Sequence, residues 1–235
     1  MSDDPARAVG RVVEVWRYPV AGLMGERLGR AELSAAGLSG DRAFGLWDTA
    51  AQRFLDAEAC PSLRLARART ASATVIARLP DGDEVVIGAR RADERLSTWL
   101  DRPVQARPAE VGAGGSSPRI RILSLSSIAA LARRHPTGQW DARRFRPHLL
   151  VVLPGVDFGE DTWVGYDVEI GAMRLAVDEP TSAADSWGSA QIGLAADPAI
   201  MTTVASVHQR TLGVTASVLE RGVVQPGDGV DPVPR

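Results

Sequence analysis

The apolar positions of this 235-residue chain fall in short alternating runs, the period-two pattern of half-buried strands. Val9–Trp16 (Val-Gly-Arg-Val-Val-Glu-Val-Trp) reads as a strand, as does Gly29–Leu33, and after a turn at Gly37-Leu38-Ser39-Gly40 another strand follows at Ala43–Asp48. Thr74–Leu79 and Glu84–Ile87 flank Pro80-Asp81-Gly82-Asp83, a composition that turns a hairpin. The spacing then lengthens to that of a helix over Arg91–Leu100, with Leu96, Trp99 and Leu100 on one face. Strands at such short intervals predict a barrel or a sandwich.

Val111–Ser117 (Val-Gly-Ala-Gly-Gly-Ser-Ser) has the composition of a flexible joint, so the reading divides the chain there into lobes 1–111 and 118–231. Beyond it, Ser124-Leu125-Ser126-Ser127 supplies capping hydroxyls for a helix through Ile128–Arg134. Leu149–Leu153 is a continuous apolar run and reads as a buried strand, and Val168–Ile170 and Met173–Val177 are two more. Asp197-Pro198 opens a helix to about Thr211, with proline where a missing N–H costs little. Val214–Leu219 and Val223-Val224 close the sheet, and Pro226-Gly227-Asp228-Gly229 turns the chain into a loose, proline-rich tail. The fold class expected is mixed α/β, mainly β.

Composition narrows the chemistry. A net charge of −2 and no basic run give no field for nucleic acid. No apolar stretch reaches the roughly 20 residues that span a bilayer, and Met1-Ser2-Asp3-Asp4-Pro5 is unlike a signal peptide, so no membrane partner and a cytoplasmic location are expected. The single cysteine, Cys60, excludes an internal disulfide and a cysteine-rich metal site, and is read as a structural thiol. All 27 Lys-plus-Arg residues are arginine. Without lysine there is no lysine Schiff base and no phosphate-loop lysine.

Six short segments occur in a telling order: Trp16-Arg17-Tyr18-Pro19-Val20, Gly37-Leu38-Ser39-Gly40-Asp41-Arg42, Phe145-Arg146-Pro147, Glu160 to Gly165, Pro180-Thr181, and Gly227-Asp228. Together they resemble the MOSC family, the molybdenum-cofactor sulfurase C-terminal-like domain, with an N-terminal β-barrel lobe. The resemblance covers nearly the whole chain. It implies a mixed β-barrel fold and, in typical members, a molybdopterin cofactor serving reductive or sulfur-transfer chemistry. The departures fall on the positions that it implies for that cofactor. Ala21-Gly22 stand where the family usually has Lys-Ser, His148 where it has Asn, and Ala183-Ala184 where it has the Arg-Cys pair. An alanine cannot ligate molybdenum, so the expected cofactor is none, with molybdopterin as the alternative, and no metal ligands are expected.

The cations left at the cofactor positions are Arg42, Arg144 and Arg146, and Arg42 with Arg144 or Arg146 is expected to grip a small anionic molecule. Arg144 and Arg146 share side parity at the mouth of a strand. Substrate contacts are also expected from Ser182, Ser186 and Trp187, the last read as a pocket wall or as core packing. His148 and Asp185 are expected to face one cavity and divide acid and base work, with Asp178-Glu179 as second candidates. His135 and His208 read as surface residues. The leading function is a lyase, isomerase or cyclase on the old scaffold. A molybdenum reductase or sulfur-transfer protein with atypical ligands and a non-catalytic binding protein are the alternatives.

Overall fold

The computed structural model describes residues 10–109, 118–155 and 157–235. The joint at Val111–Ser117, and with it the seam between the two expected lobes, lies outside the described residues. Among them, seven strands close into a barrel. Around it run Gly10–Arg17, Leu149–Val152, Ile120–Ser124, Thr211–Glu220, Met173–Ser182, Asp167–Ile170 and Gly229–Val233, which returns to the first strand. The pairs are antiparallel except Ile120–Ser124 with Leu149–Val152. The helix Leu125–Arg134 lies between these two in sequence and supplies the crossover that a parallel pair needs.

The inward residues of the strands fill the barrel: Val12, Val15, Ile122, Leu149, Val168, Leu175 and Val214 are all essentially inaccessible. Burial of this kind contributes roughly 25 cal/mol per Å² of apolar surface removed from water. At Gly213 the backbone turns left-handed, with φ of +73°, and a Cβ there would lie 2.5 Å from the Ile122 carbonyl oxygen. Glycine lets the two strands close at that point.

A second core belongs to the residues between the first strand and residue 109. Two small antiparallel sheets, one of Val104–Pro108, Phe44–Asp48 and Arg53–Phe54 and one of Arg67–Ala71, Thr74–Arg78 and Glu84–Val86, pack with the helix Arg90–Leu100 around Leu46, Leu63, Leu79 and Leu96. A third cluster packs the helices Leu125–Arg134 and Ala199–His208 on the outside of the barrel, around Leu131, Phe145, Trp187 and Val204. No helix among the described residues is long and apolar enough to cross a membrane.

Two expectations are corrected. The tail is not loose, because Gly229–Val233 is a barrel strand paired on both sides, and the terminal Arg235 is ion-paired to Asp167 at 2.8 Å. Pro232 lies within that strand, opposite Val168. His135 and His208 are half-buried and carboxylate-bound, His135 to Asp197 at 2.9 Å and His208 to Asp161 at 2.7 Å. His208 also stacks on Phe158 at a centroid separation of 4.0 Å. Burial pushes the Asp161 carboxyl up to about 6 against the opposing pull of His208.

Candidate functional site

Three remote segments meet at Tyr18. It follows the first barrel strand, and its amide donates to Asp41 Oδ1 at 2.8 Å while its carbonyl accepts from the Arg42 amide at 2.8 Å. The turn that carries Asp41 and Arg42 is thereby tied to the mouth of the barrel. The Tyr18 hydroxyl donates to the Pro147 carbonyl at 2.9 Å, which fastens the third segment, Phe145 to His148. Over the tyrosine ring lies the Arg146 guanidinium, 4.1 Å from the centroid, and the His148 ring meets it edge-on at 5.8 Å.

Arg42 and Arg146 both have left-handed backbones, with φ of 47° and 54°. Non-glycine residues seldom adopt this conformation, and it is retained where surrounding structure enforces it. For Arg146 the cause is local. Ala142–Phe145 is a 3-10 helix and Arg146 is its C-cap, so residues 144 and 146 do not alternate as they would in a strand. Arg144 is fully buried, and its guanidinium donates to the carbonyls of Gln139, Trp187, Ser189 and Ala195. It clamps these loops together. The shared side parity expected for Arg144 and Arg146 is therefore corrected, and the cation at the cluster is Arg146, which also donates to the Leu23 carbonyl.

Asp41 accepts from Arg42 Nε at 2.8 Å and meets His148 Nε2 at 3.2 Å. Burial by itself would raise its carboxyl pKa, but His148, Arg42 and the Tyr18 amide more than offset that and hold it well below the usual carboxylate range. The amide of Arg121 donates to His148 Nδ1 at 3.0 Å. That nitrogen therefore carries a lone pair, and the ring proton sits on Nε2, donated to Asp41. Both nitrogens of His148 are engaged.

Two further arginines complete the cluster, and neither was singled out from the sequence. Arg121 stands between buried Ile120 and Ile122 in its strand, on the opposite face, and its guanidinium has no hydrogen-bond or ion-pair partner among the described residues. Arg64, on the 3-10 helix Pro61–Leu65, is buried and reaches across from the other core to the Arg144 carbonyl at 3.2 Å and Ser186 Oγ at 2.5 Å. Glu58 accepts from the Ser186 amide at 3.2 Å. Burial first, then neighbouring arginines, push Arg121 and Arg64 below their ordinary range, and burial with Arg121 and Arg42 does the same to Arg146. The alternation Ile120-Arg121-Ile122 is the signal that could have found Arg121, since it turns the arginine away from the barrel interior. Arg64 left no such signal, since Leu63-Arg64-Leu65 reads equally as strand or helix.

The loop carrying the remaining expected residues is arranged otherwise. Asp185 points outward, its side chain 81% exposed and paired with Arg210 at 2.9 Å. Asp185 and His148 share no partner, and no contact among the described residues brings them together. Ser186 is buried against Arg64 and Glu58, Ser182 is exposed, and Trp187 is core, edge-on to Phe145 at 5.1 Å. Asp178 accepts from Ser217 at 2.7 Å and Glu179 pairs with Arg119.

A molybdenum centre on this loop would need a soft ligand. Ala183 and Ala184 pack against the third apolar cluster, and Cys60 is buried in the second core. Among the described residues no group of three or more His, Cys, Asp or Glu side chains is placed to hold a metal. At Gly22, where the family usually has serine, φ is +83° and a Cβ would lie 2.7 Å from Leu63 Cδ1, on the helix that carries Arg64. The loop offers molybdenum no soft ligand.

Beside the cluster opens a cavity of about 730 Å³, walled by Asp41, Arg42, Leu38, Ala43, Val223 and Arg221 among others. Arg42 belongs to both.

Comparison with known proteins agrees with this architecture. The family model of the MOSC N-terminal beta barrel domain matches residues 9–110, and that of the MOSC domain matches residues 110–231. No curated protein matches significantly. Among solved structures, the YUAD protein from Bacillus subtilis is 10% identical with a TM-score of 0.50, over 96% of each chain. A structure described as a hypothetical protein is 14% identical with a TM-score of 0.51, over 97% of this chain and 70% of the other.

Proposed function

The chain belongs to the MOSC family, and we propose that it binds a small organic dianion at the Tyr18 cluster, without molybdenum. The observation that carries this reading is the charge there. Arg146 stacks on the Tyr18 ring, Arg64 and Arg121 act on the tyrosine through their charge, and Arg42 joins them through its bond to Asp41, which with Glu58 supplies the negative charge nearby. Four positive charges against two negative ones leave two uncompensated, in surroundings where unpaired charge is costly. A bound dianion supplies the missing charge, and the free guanidinium edges of Arg42 and Arg121 offer paired donors to it.

The site is built to anchor and not to move protons. Asp41 is held ionised, His148 has both nitrogens engaged, and the Tyr18 hydroxyl is bonded to a carbonyl with its pKa raised by burial. These features favour the binding reading over a lyase, isomerase or cyclase working through His148. Calorimetric titration of the purified protein with inorganic phosphate tests it. Saturable binding is expected, and Arg121→Gln and Arg42→Gln should each weaken it about tenfold or more, because a hydrogen bond to a charged group contributes about 1.5–3 kcal/mol. Parental affinity in both variants, or no binding at all, overturns the proposal.

A further inference from the structure

The cavity beside the cluster specifies more than a charge. Resting on the reading above, we infer that the ligand carries an apolar body on its dianionic head, as an alkyl or aryl phosphomonoester does, with the head at Arg42 and the body in the cavity between residues 33–43 and the strand Gly222–Val224.

The argument starts from the small sheet that forms the cavity. Ala31–Ser34 pairs with Gly37–Leu38 on one side and with Gly222–Val224 on the other. Leu33 and Leu38 belong to the barrel core and form an apolar floor, while Ala43 and Val223 stand at the walls only half-buried. Half-buried hydrocarbon lining a concavity of about 730 Å³ is surface that a ligand can remove from water, and this volume lies in the range of small-molecule sites, about 300–1,000 Å³. Inorganic phosphate would occupy the Arg42 end alone. A sugar phosphate would find partners for its hydroxyls only at Glu32, Ser34, Ser39 and Arg221, and those laid over Leu33, Leu38, Ala43 and Val223 would lose hydration unpaired.

The charged end is continuous with this apolar end through one residue. Arg42 Nε is fixed on Asp41 at 2.8 Å, its backbone is held by the Tyr18 carbonyl, and it stands in the cavity wall. The guanidinium is thus positioned before the ligand arrives, which limits the entropy cost of binding. At the far rim Arg221 is exposed and has no partner among the described residues, so the body projects from Arg42 toward a second, solvated cation.

The test is a calorimetric series at fixed ionic strength with inorganic phosphate, then methyl, butyl and hexyl phosphate, and glucose 6-phosphate. Affinity should rise about twofold to fourfold per methylene through the series, following the transfer free energy of a buried methylene, about 0.8 kcal/mol. Arg42→Gln should weaken every member by a similar factor. Val223→Thr keeps shape and β-branching but adds a hydroxyl, and should lower the ratio of hexyl phosphate to inorganic phosphate affinity by about threefold. Hexyl phosphate binding no tighter than inorganic phosphate overturns the apolar body and leaves the anion site standing. Glucose 6-phosphate binding tighter than hexyl phosphate does the same. A chain-length gain that Val223→Thr leaves intact puts the body elsewhere and overturns the inference too. If no member binds, the dianion reading falls and this inference falls with it.

Discussion

Asp41 shows how far single residues could be read. Its sequence context, Gly40-Asp41-Arg42, admits a brace for the neighbouring arginine, and that contact exists at 2.8 Å. Its bond to His148 spans 107 positions, and nothing local announces it. His148 was legible as a polar residue at the head of an apolar run, yet the tautomer that governs its chemistry is set by the amide of Arg121, from another strand. Asp185 was chosen for its neighbours, but composition does not say which way a loop side chain points. The network makes Asp41 a stability element with a definite pH signature. Its folded carboxyl lies below the unfolded value of about 3.9. The stabilisation is therefore fully present above about pH 4 and is lost as pH falls through the folded value. Asp41→Ala should cost about 2–3 kcal/mol at pH 7, since it strands the Tyr18 amide and His148 Nε2 as buried donors, and urea unfolding should show that penalty shrinking below about pH 4. A penalty that stays constant from pH 7 to pH 3 would contradict this account of Asp41.

At the scale of elements, period and length gave most of the barrel. The first strand, the apolar run at Leu149 and the two long C-terminal strands all lie close to where alternation puts them. The helix Arg90–Leu100 begins one residue before its predicted start. Missing were Arg67–Ala71, Val104–Pro108 and Ile120–Ser124, the first two carrying two arginines and a proline respectively, so that their apolar faces are short of the usual count. Gly229–Val233 was lost to its proline, although Pro232 is accommodated within a paired strand. Gly213 stands just ahead of the expected strand Val214–Leu219, where nothing local marks it. Its partner carbonyl makes it a closure point, so Gly213→Ala should destabilise by about 2–4 kcal/mol, combining a left-handed alanine with a displaced Ile122 carbonyl. Chemical denaturation reads this directly, and a change below about 1 kcal/mol would mean that the barrel relaxes there freely.

On the scale of the whole molecule, the division suggested by composition and the division made by packing differ. The family models meet at residue 110, close to the glycine-rich stretch. Packing nevertheless places the first strand, Gly10–Arg17, in the barrel between Leu149–Val152 and Gly229–Val233. A strand on the far side of the sequence seam thus closes the core of the second half. Arg64 crosses in the same sense, from the helix under the second core to Ser186, with Glu58 beside it. Two cores joined by a shared strand and a buried guanidinium should open together. Urea unfolding followed by far-ultraviolet circular dichroism and by tryptophan fluorescence should give one coincident transition, since tryptophans sit in both halves at Trp47, Trp99, Trp163 and Trp187. Arg64→Ala removes the crossing and leaves the Ser186 hydroxyl and the Arg144 carbonyl without their buried donor. It should lower the midpoint by the equivalent of about 2 kcal/mol or more. Two separated transitions in the parent protein, or an unchanged midpoint in the variant, would mean that the halves are stable independently and that Arg64 serves the ligand and not the fold.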